Sequence, residues 1–347
     1  MYQLLQLSPK TLKEMIKDSD SSKEKKRCLI AITLRNFLLI LFAIVYISFY
    51  TVVFGIENSS IAVGSFCILL GIRFISYNIN IKESIAILAL YFILTFVANL
   101  VSLTNNLYFS LISNFLFLLL IIILVTAKPI MGNAGIYVFS YIFIVETPVA
   151  TSLLSMRFYA LLFSFITCGL ILYKKHYKKD KNKHTSELLK QFLKFDFKSL
   201  WQLRLATGVS LALFIGHLLQ FERAVWIGYA CMSILLPYQN NLKTRAFHRF
   251  SGVVVGSLTF GLISSVIPAD YYSLIGPIAG LCIGFSVTYF WHSVFNCFGA
   301  LLLASSLYGI DSSILFRIEN NLFGILFAVI FVFLLTLLTP KNILETT

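Results

Sequence analysis

The stretch LYFSLISNFLFLLLIIILVT, from Leu107 to Thr126, carries no formal charge. An α-helix of about 20 residues rises about 30 Å, the thickness of a bilayer's hydrocarbon core. Similar segments fill most of the chain on either side. The first half reads as Phe37–Phe54, Ile61–Ile75, Ser84–Leu103, Leu107–Thr126, Ile130–Val145 and Phe158–Tyr173. The second reads as Leu205–Leu219, Val225–Leu236, Phe250–Ile267, Ser273–Phe290, Ser293–Leu307 and Leu322–Leu338, with Trp291-His292-Ser293 as a thin break between two of them. The expected fold is all-α and polytopic, with about twelve transmembrane helices.

Composition agrees. The 347 residues are 58% hydrophobic and 12% charged, with a mean hydropathy of +0.85. A soluble domain carries roughly twice that charged fraction, and a soluble fold of this size has too little interior to hide so much apolar surface. Lipid accepts the excess, and the 33 Phe and 17 Tyr suit lipid-facing helices with interfacial rings. Residues 1–36 are polar and charged rather than an apolar signal core, so no cleaved signal peptide is expected and the first span directs insertion.

A net charge of +13 would suggest nucleic acid in a soluble chain. Here the basic residues flank apolar spans, where they set topology, so nucleic acid is excluded and the bilayer is the first expected partner. With the spans above, every Lys and Arg except Arg157, Arg223 and Arg317 falls on one side. That places both termini in the cytoplasm. The expected division is a cytoplasmic segment 1–36, a membrane half 37–173, a Lys-rich cytoplasmic linker 174–204, a second half 205–339 and a tail 340–347.

The two halves follow one plan. Each opens with a basic segment ending in Arg35 or Arg204, then a span, an acidic turn holding Glu57 or Glu222, and a short second span. Arg157 leads the last span of one half and Arg317 that of the other. Six spans each, with cytoplasmic ends on both, predict a parallel repeat about an axis along the membrane normal.

Small residues mark packing faces. Gly252 and Gly256 stand four apart, as do Gly276, Gly280 and Gly284 in the next span, and this spacing predicts tight pairing of the two helices. The six cysteines form no C-x-x-C pair and mostly lie in apolar runs, as small buried hydrophobes do. No P-loop, H-E-x-x-H, metal-spaced His/Cys cluster or G-x-S-x-G elbow is present. Neither an enzyme, a metal site nor a cofactor is expected, and any pumping draws on an ion gradient or a partner protein.

The most distinctive run is Trp226-Ile227-Gly228-Tyr229 through Leu236-Pro237, followed by Arg245 and by Arg249-Phe250-Ser251-Gly252-Val253-Val254-Val255-Gly256. It resembles the integral-membrane module of the fusaric-acid-resistance (FUSC-like) transporters, with Arg245 and Arg249 in the signature basic connector. Arg317-Ile318-Glu319-Asn320-Asn321-Leu322-Phe323-Gly324 resembles the start of that module's last helix. The resemblance covers roughly residues 200–338, and the first half shares only the span layout. It implies a bacterial inner-membrane protein exporting aromatic carboxylic acids.

Ionisable groups in or beside spans are costly and so are candidates for function. Glu146 and Arg157 can pair at the outer surface, or gate a path with Arg157 attracting an anion and Glu146 exchanging a proton. Asp311, Arg317 and Glu319 form the counterpart cluster, and Glu222-Arg223 occupies a tight turn. His217, near the end of its span, and His292, between two spans, are proton-shuttle candidates. Efflux of small aromatic or amphipathic organic anions, with the arginines binding the carboxylate and Phe residues the ring, is the leading expectation. A non-transporting scaffold or accessory subunit of an envelope complex is the alternative, and a passive channel a third. An accessory protein or a second copy of the chain is a further possible partner.

Overall fold

A computed structural model describes residues 1–7, 9–236 and 242–338. Pro237, the first part of the Tyr238–Arg249 connector, Lys341 and the tail 340–347 lie outside the described residues. Among the described residues there are helices and no strand: α1 (Tyr2–Leu5), α2 (Pro9–Asp18), α3 (Ser22–Phe54), α4 (Ser59–Ile72), α5 (Ile81–Ser102), α6 (Leu107–Val125), α7 (Asn133–Val145), α8 (Leu154–His176), α9 (Thr185–Leu193), α10 (Phe197–Leu218), α11 (Val225–Leu235), α12 (Leu242–Val266), α13 (Tyr272–Phe285), α14 (Tyr289–Tyr308) and α15 (Ile310–Leu338). Eight of these, α3, α5, α6, α8, α10, α12, α14 and α15, are long and apolar enough to cross a membrane. The protein is an integral membrane protein of the multi-pass helical class.

Four apolar helices are shorter. α4 and α13 have 14 residues, α7 has 13 and α11 has 11. Protein rather than lipid surrounds α11, whose residues are buried except Tyr229. A helix enclosed in this way need not match the bilayer thickness, which sets the length only of lipid-facing segments.

Several boundaries differ from the sequence reading. α3 begins at Ser22, so Lys23 to Arg35 lie on the same 33-residue helix as the first apolar segment. Lys, Arg and Glu are good helix formers, and no Gly or Pro interrupts the run until Gly55 at φ +89°. Arg245 and Arg249 lie within α12, and Arg317 and Glu319 within α15, rather than in connectors. The break before α14 comes at Ser286–Thr288, where the Thr288 hydroxyl accepts from Trp291 N, so His292 sits in the first turn of α14 and not between two spans. The Lys-rich linker is mostly helical: α8 runs to His176, α9 fills 185–193, and α10 starts at Phe197 under an Asp196 cap.

Packing divides the chain into two compact units, Met1–Val45 with Lys243–Glu319, and Tyr46–Leu242 with Asn320–Thr347. In the unit containing α4–α11, the connectors sort to two ends. At one end Asn80 N donates to Lys183 O (2.9 Å), Lys198 Nζ to Ala127 O (3.1 Å), and His176 Nε2 meets Ile72 O (2.7 Å). The connectors after α4 and α6 thus join the linker after α8. At the other end Arg157 ties together the segments around Asn58, Asn99 and Thr147. Between these ends the helices are joined by hydroxyls. Tyr50 Oη lies 2.7 Å from Ser164 Oγ, Tyr91 donates to Ser140 (2.8 Å) and Tyr141 to Asn114 (2.7 Å), while Tyr77, in the connector after α4, meets Tyr137 of α7. Lipid tails are as apolar as Leu, so close packing and such bonds hold helices together, at about 0.6 kcal/mol each on average.

In this unit α8 lies on α3 and α4, through Phe163 against Phe49 (5.3 Å between ring centres) and Cys168 Sγ against Ser65 O. The part of α15 from Asn320 lies on α11 and α10. A Cβ on Gly324 would meet Ile227 O at 2.5 Å, and one on Gly208 would meet Phe331 at 3.0 Å. α10 also packs along α6, with Gln202 reaching Ile122 O (3.5 Å).

In the other unit α2 folds onto α3, burying Leu12 against Cys28, Ala31 and Ile32. Lys13 Nζ donates to Phe285 O (2.6 Å), a cation at the negative end of α13. The two glycine runs face other helices rather than each other. A Cβ on Gly256 would stand 2.4 Å from Val294 O and one on Gly252 2.7 Å from Ser293 Cβ, both on α14, whereas Gly280 faces Ile40 and Gly284 faces Asn36 on α3. Gly276 has only Leu302, at 3.9 Å. Small residues let backbones approach without fixing which neighbour arrives.

Candidate functional site

The turn from α10 to α11 gathers the groups of most chemical interest. α10 ends at Leu218, and Gln220 (φ 55°) and Arg223 (φ 57°) both take left-handed backbone that non-glycine residues rarely adopt. Such conformations persist where surrounding contacts hold them. Asn320 of α15 supplies them, donating from Nδ2 to Glu222 O (2.6 Å) and Arg223 O (3.2 Å). The Arg223 guanidinium lies 5.3 Å from the ring centre of the buried Trp226, and Phe221 packs on Phe323 at 5.0 Å. A cation and aromatic walls are therefore adjacent.

One turn back on α10, His217 Nε2 lies 2.8 Å from Glu146 Oε2, at the C-terminal end of α7. The carboxylate side chain is 9% exposed and the imidazole 43%. A nearly enclosed carboxylate joined to a half-open imidazole can hold a proton and pass it to water. Sequence reasoning named both residues but not their partnership, because 71 positions separate them.

Arg157 is placed differently from its expected role. Its side chain is 0% exposed. Nε donates to Asn58 Oδ1, Nη1 to Asn99 Oδ1, Ile144 O and Thr147 O, and Nη2 to Glu57 O. Glu146 is engaged by His217 instead. Carbonyls at the C-terminal end of α7 carry partial negative charge, which offsets the guanidinium without a carboxylate. Arg157 is thus a staple for the turn containing Glu57, and Asn320 does the same for the turn containing Glu222. Arg157 lies on α8 and Asn320 on α15, one helical turn beyond Arg317.

The remaining candidates lie on α12, α14 and α15. Arg317 is buried (4% exposed), while Glu319 and Asp311, on the same helix α15, are exposed. His292 is half-buried on α14. Arg245 stacks on Tyr289, 3.9 Å from the ring centre, and Arg249 is buried. Among the described residues no group of three or more His, Cys, Asp or Glu is placed to hold a metal ion.

Sequence reasoning did not single out Glu83. It accepts from Thr185 N and Oγ1, from Asn80 Nδ2 and against His184 Nδ1, fastening the linker to the start of α5. The Asn80-x-x-Glu83 capping pattern was its only local signal.

Residues 211–331 match the family model described as fusaric acid resistance protein-like. The matched segment runs from within α10 into α15 and includes His217, Arg223, Trp226, Arg317 and Asn320. No curated protein and no solved structure matches the chain.

Proposed function

We propose that this membrane protein, with its fusaric acid resistance protein-like segment, is a secondary transporter exporting small aromatic or amphipathic organic anions across a bacterial inner membrane. The observation that carries the coupling half of this proposal is the Glu146–His217 pair. It joins a residue of the matched segment to the first half of the chain and can take up and release a proton. Beside it, Arg223 on Trp226, with Phe221 and Phe323, offers a cation for a carboxylate and apolar surface for a ring. Arg157 is assigned to structure, because its donors are engaged by neutral acceptors.

The same proposal takes the twelve apolar helices as two parallel six-helix repeats with both termini cytoplasmic. In support, the sixth helix of each half packs on the first and second of that half: α8 on α3 and α4, α15 on α10 and α11.

The test is transport of labelled aromatic carboxylates in proteoliposomes with and without an imposed proton gradient. Wild-type flux is expected to follow the gradient. Glu146→Gln with His217→Asn is expected to abolish gradient-driven accumulation while leaving exchange of labelled for unlabelled acid. Arg223→Gln is expected to raise KM. Flux indifferent to the gradient, or equal in wild type and the double variant, overturns the coupling. No flux, together with co-purification of a stable envelope partner, replaces transport by the scaffold.

A further inference from the structure

We propose that a hollow at the linker end of the α4–α11 unit binds a phosphate group, carried by an anionic phospholipid headgroup or present as the free ion. The hollow lies where three connectors meet: the one after α4, the one between α6 and α7, and the start of the linker after α8. Two lysines are among its lining residues, Lys128 and Lys179, and no Asp or Glu is. A third, Lys183, donates to Asp180 (2.9 Å) and to Oδ1 of the lining Asn78 (3.2 Å), which leaves the Asn78 carboxamide its Nδ2 as a donor.

The backbone adds to this bias. α7 begins at Asn133, which lines the hollow and is 4% exposed. Its N-cap is Gly132 at φ +81°, which has no side chain to occupy the first N–H groups. A helix start attracts an anion, and two lysines deepen the attraction while the nearby Asp180 is engaged by Lys183. Phosphate supplies several acceptor oxygens to such donors, more than a carboxylate can.

The lip favours a lipid as the carrier. Phe74 and Met131 line the hollow and are half exposed, and the Arg73 guanidinium lies 5.3 Å from the centre of the Phe74 ring. Basic pockets between helices at the membrane surface take lipid headgroups, with apolar neighbours for the chains. The site is separate from the Glu146–His217 pair and does not depend on the transport proposal.

The test uses the full chain in nanodiscs of phosphatidylcholine doped with phosphatidylglycerol, with retained lipid counted by native mass spectrometry after release. Inorganic phosphate binding is measured separately in detergent. Wild type is expected to retain phosphatidylglycerol or bind phosphate, and Lys128→Ala with Lys179→Ala to lower that binding at least tenfold. Lys128→Arg is expected to keep it, as is Lys181→Ala with Lys190→Ala, which removes two exposed linker charges outside the hollow. Retention of the lipid alone identifies the headgroup as the ligand, and binding of phosphate alone identifies the free ion. Binding of neither, or equal loss in the two double variants, overturns the site. Size-exclusion profiles matched to wild type show that each variant is folded.

Discussion

At the scale of single residues, the structure separates positions that look alike in the sequence. Arg157 and Arg223 both read as outward-side cations, yet one is enclosed by five acceptors and the other rests on an indole face. Hydrogen bonds to a charged group contribute about 1.5–3 kcal/mol each, and lost partners stay buried. Arg157→Lys offers a shorter, non-planar donor and is expected to destabilise the protein by about 3 kcal/mol or more, measured as unfolding in detergent. Arg223→Lys, at a partly exposed site, is expected to destabilise it less than Arg157→Lys. Glycines divide similarly. Gly256→Ala would force its methyl to within 2.4 Å of a backbone oxygen of α14 and is expected to cost about 1–3 kcal/mol. Gly299→Ala meets nothing within 4 Å and is expected to stabilise by up to about 1 kcal/mol through helix propensity. Equal unfolding midpoints for the two alanine variants would contradict the close α12–α14 contact. The role of Arg157 was not legible in the sequence because its acceptors are mostly carbonyls, which every residue carries, brought together from distant segments. The Gly-x-x-x-Gly spacing was legible as a packing face, but the partner helix was not, since a bare backbone fits any neighbour.

At the scale of elements, apolar segments were easy to locate and their ends were not. The run Leu107–Thr126 matches α6 to within one residue because a capping Asn106 precedes it and the apolar sequence stops where the helix stops. α3 and α10 begin well before their apolar parts, since charged helix formers continue the same helix out of the lipid. The linker shows the same effect: Lys-rich composition reads as solvated loop, whereas α9 is fixed by contacts made elsewhere. Glu83 is the anchor, and Glu83→Ala removes its bonds to Thr185, Asn80 and His184 together. Hydrogen exchange across residues 185–193 is expected to speed up by roughly tenfold, the equivalent of about 1–1.5 kcal/mol, while the amides of α5 beyond its first turn stay protected. Unchanged exchange in α9 would show that Leu188, buried against the bundle, holds that helix alone. The α10–α11 turn is the second element held from a distance. Asn320→Leu deprives two carbonyls of their donor while keeping the size of the side chain. It is expected to relax the left-handed residues Gln220 and Arg223 and to reduce transport more than it reduces stability, read as flux at matched protein in proteoliposomes.

At the scale of the molecule, the arrangement of charges and the arrangement of contacts support the same topology. The three basic connectors of the α4–α11 unit meet at one end, and the turns at Glu57 and Thr147 meet at the other around Arg157. An antiparallel succession of helices produces this sorting, and the proposed topology puts the first end, rich in Lys and Arg, in the cytoplasm. The proposed repeat adds an independent constraint. α10, first helix of its half, packs on α6, the fourth helix of the other half. α3, first of the other half, packs on α13, again the fourth of its counterpart, through Ile40 at Gly280 and Asn36 at Gly284. A parallel two-fold relation requires both pairings together, whereas an inverted repeat would exchange the ends at which they form. Single cysteines can therefore test both claims at once. Cys28, Cys168, Cys231 and Cys297 are buried, so a background lacking only Cys67 and Cys282 is expected to label weakly. In it, Lys128→Cys and Lys181→Cys are expected to react with an impermeant maleimide only after the membrane is opened. Glu57→Cys and Glu222→Cys, at the equivalent turns of the two halves, are expected to react in intact cells. Opposite labelling of residues 57 and 222 would exclude a parallel repeat even if every helix were correctly placed, because equivalent turns must then face the same side.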